Sequence, residues 1–117
     1  MFCLLIDPFQ KSIEYIEGDI NNLDWLYEKL DCETIDVLTL PHYGGNSLVV
    51  DDNGLLKPTG EQAYFKLGGG VLAGRALLVS TNIEGDFCEP SWNQADAWRE
   101  VKWLPHDVGA AFAAQFQ

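Results

Sequence analysis

Apolar positions fall in short blocks and alternations along most of the chain, and turn-forming residues separate them. Residues 2–6 (FCLLI) form a block of strand length. Asp7-Pro8-Phe9-Gln10 then supplies a turn into residues 12–17 (SIEYIE), so the pattern predicts an opening hairpin. Gly18 and Asp19 break it. Asn21 or Asn22 is placed to cap a helix over residues 22–31, because an Asx side chain accepts the free N–H groups of a first turn. Leu23, Leu26, Tyr27 and Leu30 share one face of that helix at the i, i+3, i+4, i+7 spacing.

Residues 34–40 (TIDVLTL) are β-branched and partly alternating, and Pro41 ends the predicted strand. Residues 42–46 form a glycine-containing loop. Residues 47–51 and 55–57 flank Asp52-Asn53-Gly54, which predicts a hairpin whose tight turn uses Asn-Gly for positive φ. Residues 63–67 and 75–80 read as strands on either side of a glycine-rich connection, and Phe87-Cys88 as a short edge strand. Ser91 and Gln94 have the spacing of a capping box, which predicts a helix over residues 92–104, stopped by Pro105. Residues 107–117 are small and alanine-rich, either helical or frayed. Strands and helices do not alternate regularly. The pattern therefore implies an α+β fold with a mainly antiparallel or mixed sheet of about five to six strands and one or two packed helices. No linker or repeat interrupts it, and residues 1–117 read as a single domain.

Composition supports a packed globule: 47% of residues are hydrophobic, with six Phe, four Trp and four Tyr. Charge changes the picture more. Eighteen Asp and Glu against seven Lys and Arg give a net charge of −11. Phosphate repulsion then argues against direct contact with nucleic acid or an anionic membrane, and the field favours a basic partner. Nine of the acids and only two lysines fall in the first 36 residues, a net −7. Cys3, Cys32 and Cys88 are far apart and odd in number, which fits reduced thiols better than a disulfide framework. The block at 2–6 is too short for a membrane span and lacks a basic n-region, so a cytoplasmic protein is expected.

Motifs for chemistry are weak. Leu67–Arg75 (LGGGVLAGR) has the outer glycine spacing of a phosphate loop at Gly69 and Gly74, but Arg75 and Ala76 replace the required Lys and Ser/Thr. A strand-like segment follows where a helix N-terminus should meet the phosphate. Lys66, Gly69, Gly70 and Arg75 remain the set through which a nucleotide or other small ligand would be held. The Asp51-Asp52-Asn53-Gly54 stretch lacks carboxylates at the outer positions of a calcium loop. Cys and His residues show no zinc spacing, so no metal or other cofactor is expected. His42 is the one attractive general base, and no local motif marks a nucleophile for it. An enzyme is therefore not expected.

Two surface features are more specific. Asp24, Glu28 and Asp31 fall opposite the leucine face at i, i+4 and i+7, where like charges destabilise a helix by about 0.2–0.5 kcal/mol per pair. A local rule broken without local gain is a hint of binding. On the second predicted helix Ala97, Trp98, Val101 and Leu104 share one face, and Trp92 and Trp103 project to the other beside charged residues. They are either partner anchors or rings that fold back onto the core.

Three segments, LLIDPFQKSIEYIEGD, LPHYGGNSLVVDDNGLLK and AYFKLGGGVLAGRALLVSTNIEGD, together resemble a family of small uncharacterised proteins. Phages, plasmids and other bacterial mobile elements encode that family, often near anti-restriction genes. The resemblance covers about residues 4–86. It carries no catalytic motif. It implies an accessory protein acting inside a bacterium, and with the charge it leads to an expected function. That function is inhibition of a host defence factor, of anti-CRISPR or anti-restriction type, through nucleic-acid mimicry. The partner would be a nucleic-acid-binding defence protein with a basic surface, met by Asp24, Glu28, Asp31, Trp92 and Trp103. A small-ligand or nucleotide-signal binder, an interaction module of unknown role, or a homo-oligomer is the alternative.

Overall fold

The central strand pairings leave apolar side chains on both faces of one sheet, and that explains the unbroken apolar blocks. A computed structural model describes residues 1–40 and 44–117; His42, the candidate base, and Tyr43 lie outside them. The described strands are β1 (Phe2–Asp7), β2 (Ser12–Glu17), β3 (Ile35–Thr39), β4 (Asn46–Asp51), β5 (Tyr64–Leu67), β6 (Gly70–Ala73), β7 (Ala76–Thr81), β8 (Phe87–Cys88) and β9 (Lys102–Trp103). The helices are α1 (Leu23–Leu30), α2 (Gln94–Glu100) and α3 (His106–Ala113). All described pairings are antiparallel. One sheet runs β2-β1-β7-β4-β3 with β8 added on β7, and a second runs β6-β5-β9. The α+β class is as expected, with two sheets in place of one and three α-helices in place of one or two.

In the large sheet the strand period of two sends alternate side chains to opposite cores. Leu4, Ile6, Leu48, Val50, Ala76 and Leu78 face a core shared with Phe65 and Leu67 of the small sheet and Ala97 of α2. Cys3, Val49, Leu77 and Val79 face the other way, onto Leu26 and Leu30 of α1. The small sheet is used on both faces too: Tyr64 and Ala73 pack on Ala113 of α3. The alanine-rich end is thus a docked helix rather than a frayed tail. A Cβ at Gly109 would lie 2.3 Å from the Tyr64 ring, so only glycine lets α3 approach this closely. Gln117 Nε2 also donates to the carbonyls of Leu55 and Lys57.

Three local expectations are corrected. The hairpin over 47–57 does not form, because β3 and β7 occupy both edges of β4 and leave no ladder for residues 55–57. Asp51 Oδ1 instead accepts from Asn53 N at 2.9 Å, Gly54–Leu56 winds into a 3₁₀ turn, and Gln62 Nε2 holds the Gly54 carbonyl at 2.9 Å. The glycine-rich connection is itself a hairpin, with Gly68 and Gly69 at positive φ between β5 and β6. The second helix is shorter than its pattern suggests. Its capping box is Asn93 with Asp96, and at Val101 the backbone turns extended so that Lys102 and Trp103 can pair with β5.

Candidate functional site

The acidic layer is built on α1. Asn22 Oδ1 accepts from Trp25 N at 3.0 Å and starts the helix one residue before Leu23. Leu26 and Leu30 are buried, whereas Leu23, expected on the same face, is exposed. Trp25 covers that first turn in its place, packed so closely on Gly18 that a Cβ there would meet the indole at 2.3 Å. Asp24 and Glu28 are exposed one helical turn apart. Asp31 is not their helical continuation. It adopts the left-handed conformation (φ 52°, ψ 56°) that closes the helix, and its carbonyl accepts from Lys57 Nζ at 3.1 Å. The expected three-residue stripe is therefore a pair, with Asp31 standing at the rim of a neighbouring cleft.

Neutralisation of this layer is sparse. Residues 18–40 hold six acids and one base, Lys29. Its ammonium lies over the Trp25 ring, 5.8 Å from the centroid. Among the described residues the ion pairs are Lys57–Asp51, Arg75–Asp7 and Arg99–Asp96. The first two serve carboxylates only 6% exposed, where a bare charge would be costly, and none serves Asp24, Glu28 or Asp31.

The cleft beside Asp31 has a volume of about 350 Å³ and is lined by Phe9, Asp51, Lys57, Gln62 and Arg75 among others. Lys57 Nζ lies 2.9 Å from Asp51 Oδ2. The hydrogen bond with Asp51 raises the ammonium pKa above its ordinary value, against the opposing effect of burial. Arg75 Nε donates to Asp7 Oδ2 at 3.3 Å and its guanidinium stacks on Phe9, while Asp7 Oδ1 accepts from the backbone N–H of Phe9 and Gln10. Arg75 thus clamps the β1–β2 turn.

That clamp divides the small-ligand set read from the sequence. Arg75 lines the cleft, but Lys66, Gly69 and Gly70 do not. Gly69 sits at the tip of the β5–β6 hairpin, and Gly70 opens β6. Lys66 is exposed on β5, directly opposite Lys102. A strand follows the glycines, so no helix N-terminus is offered to a phosphate.

The tryptophan pair is corrected as well. Trp92 precedes α2 and Trp103 lies on β9, so they share no helix face. Both are half-buried against the shared core, and Trp103 meets Phe65 and Trp98 edge-on. Trp98, placed on the core face by the longer helix, is the more exposed ring at 44%. The helical wheel failed here because the helix spans only Gln94–Glu100, so Trp92 lies before it and Trp103 after it. A pocket of about 260 Å³ bounded by Phe2, Tyr15 and Trp92 was missed by sequence reasoning, since a hairpin register and a distant segment build it together.

Among the described residues no group of three or more His, Cys, Asp or Glu is arranged to hold a metal ion, and no helix is long and apolar enough to cross a membrane. The three cysteines are free thiols. Burial pushes Cys3 up to about 12 and also raises Cys32. No protein-family model, no curated protein and no solved structure matches the chain.

Proposed function

We propose that the protein works by binding a basic surface on another macromolecule, through the α1 layer. The observation that supports this is the uncompensated charge of Asp24 and Glu28, whose nearest sequence cation is stacked on Trp25. Carboxylates left this way repel one another and contribute nothing to the core below them. They raise the encounter rate with a positive partner and disfavour a negative one. With the resemblance to mobile-element accessory proteins, the partner is a host nucleic-acid-binding defence factor, and occupation of its basic groove is the inhibitory act.

The test is affinity capture from bacterial lysate at low and moderate salt, with competing duplex DNA or RNA. The reading requires nucleic-acid-binding proteins that are retained at low salt, weakened by salt, and displaced by nucleic acid. Retention of proteins that nucleic acid does not displace would remove the mimicry element.

A further inference from the structure

At the opposite end of the large sheet from β3, the rings of Phe2 and Tyr15 meet beside a pocket that Trp92 and Glu89 also line. Phe2 and Tyr15 are diagonal neighbours on one face of the β1–β2 ladder, since Leu4 stands opposite Tyr15 and Glu17 opposite Phe2. Their rings are perpendicular, 76° between planes at 6.3 Å, and each residue is nearly half exposed, 47% and 48%. Trp92 forms a further wall of the same pocket, with Glu89, Pro90, Ser91 and Asn93 completing it.

The walls are held in place. Gln94 N donates to Tyr15 Oη at 3.3 Å, and Gln94 Nε2 to the Ile13 carbonyl at 2.6 Å, which joins α2 to β2. Ser80 Oγ donates to the Glu89 carbonyl at 2.8 Å, and Ser91 N to Asn46 Oδ1 at 3.0 Å. Phe2 N donates to Glu89 Oε2 at 2.8 Å and fixes that carboxylate at the pocket. None of the chain's lysines or arginines lines it, and no ion pair among the described residues involves Glu89.

Perpendicular aromatic faces around a small pocket with one fixed carboxylate are suited to a cation that is bulky and weakly hydrated. The ring quadrupoles and the carboxylate attract the charge, and the rings cover its alkyl surface. We infer that the Phe2, Tyr15, Trp92 and Glu89 pocket binds an alkylammonium head group. On the proposed function, on which this biological occupant rests, it is an N-methylated lysine side chain of the basic partner. Glu17, across from Phe2, adds a second carboxylate on the same sheet face. A guanidinium or a plain apolar side chain is the rival occupant.

The probes are choline and its uncharged isostere 3,3-dimethylbutan-1-ol, titrated into the whole protein while the Trp92 indole N–H is followed by NMR. Trp92→Phe assigns that resonance. Choline is expected to shift it saturably at millimolar concentration, and the isostere to leave it in place. Phe2→Leu keeps an apolar side chain and the backbone N–H to Glu89 but removes one ring; it should weaken choline about two- to fivefold. Glu89→Gln keeps an acceptor for Phe2 and should weaken choline in the same direction. Equal binding of the isostere, tighter binding of methylguanidinium than of choline, or no saturable shift at Trp92 overturns the assignment. Choline binding together with failure to capture a basic partner upholds the pocket and removes only the functional reading. The reverse outcome removes only the pocket.

Discussion

Lys29 lies over the ring of Trp25, one helical turn before it, with its ammonium 5.8 Å from the ring centroid. At i, i+4 spacing a glutamate at position 25 would have formed an ion pair with the lysine. The indole there takes the cation toward the Gly18 side of the helix and leaves Asp24 and Glu28 bare. Lys29→Gln should therefore cost about 0.5–1 kcal/mol of stability through the lost cation–π contact. The same change should speed association with a basic partner. Thermal melts and association rates check the two halves separately.

Tyr64 is the second place where a side chain is left without its usual compensation. Its hydroxyl is buried and has no hydrogen-bond partner among the described residues, and burial raises its pKa. Tyr64→Phe removes the orphan group and should leave stability unchanged or raise it by up to about 1 kcal/mol. Gly109→Ala on the facing helix should instead cost about 1–3 kcal/mol, because the new methyl would enter the ring. Denaturant unfolding of both variants measures this pair. A stabilised Gly109→Ala would mean that α3 does not dock on Tyr64 as described.

Among the described residues, the titrating groups with resolved shifts all bind their protons more tightly in the folded state. Cys3 is pushed up to about 12 by burial, and Cys32, Lys57 and Tyr64 are raised as well. A folded pKa raised above its unfolded value gives stability that is complete below the unfolded value and is lost as pH rises through the folded one. The ordinary values of these groups run from 9.0 to 10.5. Their contribution should therefore be constant at neutral pH and decline from about pH 9 upward. Cys3→Ala should flatten that decline. Alkylation should leave Cys3 unmodified in the native protein, because both burial and the neutral thiol oppose it.

Strand β3 is an edge of the large sheet with Val37 39% exposed, an arrangement that invites pairing with a second chain. Leu40 N donates inward to the Asn46 carbonyl, so by alternation the Val37 N–H points outward. Asp36 Oδ1 accepts that N–H at 2.9 Å and closes the middle of the edge. Asp36→Ala should produce self-association that grows with concentration, while Asp36→Asn, which keeps the acceptor, stays like the wild type. Light scattering coupled to size exclusion distinguishes them. Equal behaviour of the two variants would assign the protection to charge instead.

Much of the fold was legible where local signals and burial agreed. The β1–β2 hairpin follows from its turn residues, and α1 from its Asn cap and the buried Leu26 and Leu30. Reading failed where a neighbour decided the outcome. Asn53-Gly54 is a strong hairpin signal, but β4 had no free edge to offer residues 55–57. Trp92 and Trp103 share a helical wheel only if the helix runs from 92 past Glu100, but the Asn93 cap starts it after Trp92, and pairing of Lys102 and Trp103 with β5 ends it before Trp103. The site was legible in part. Asp24 and Glu28 could be placed from spacing alone, but the left-handed turn at Asp31 could not, nor could the meeting of Phe2 and Tyr15 with Trp92.

On the proposed function, the α1 carboxylates act in binding and not in folding. The direct measurement is the association rate of the captured basic partner with wild type and with Asp24→Asn/Glu28→Gln, across a series of salt concentrations. The double variant should melt at the wild-type temperature or slightly above, because a like-charge pair has gone. It should associate more slowly at low salt and show a flatter salt dependence, with little change in dissociation, since steering charges act mainly on encounter. Identical association rates and salt slopes for the two proteins, with folding intact, would contradict the account and leave the acidic layer as a solvated surface only.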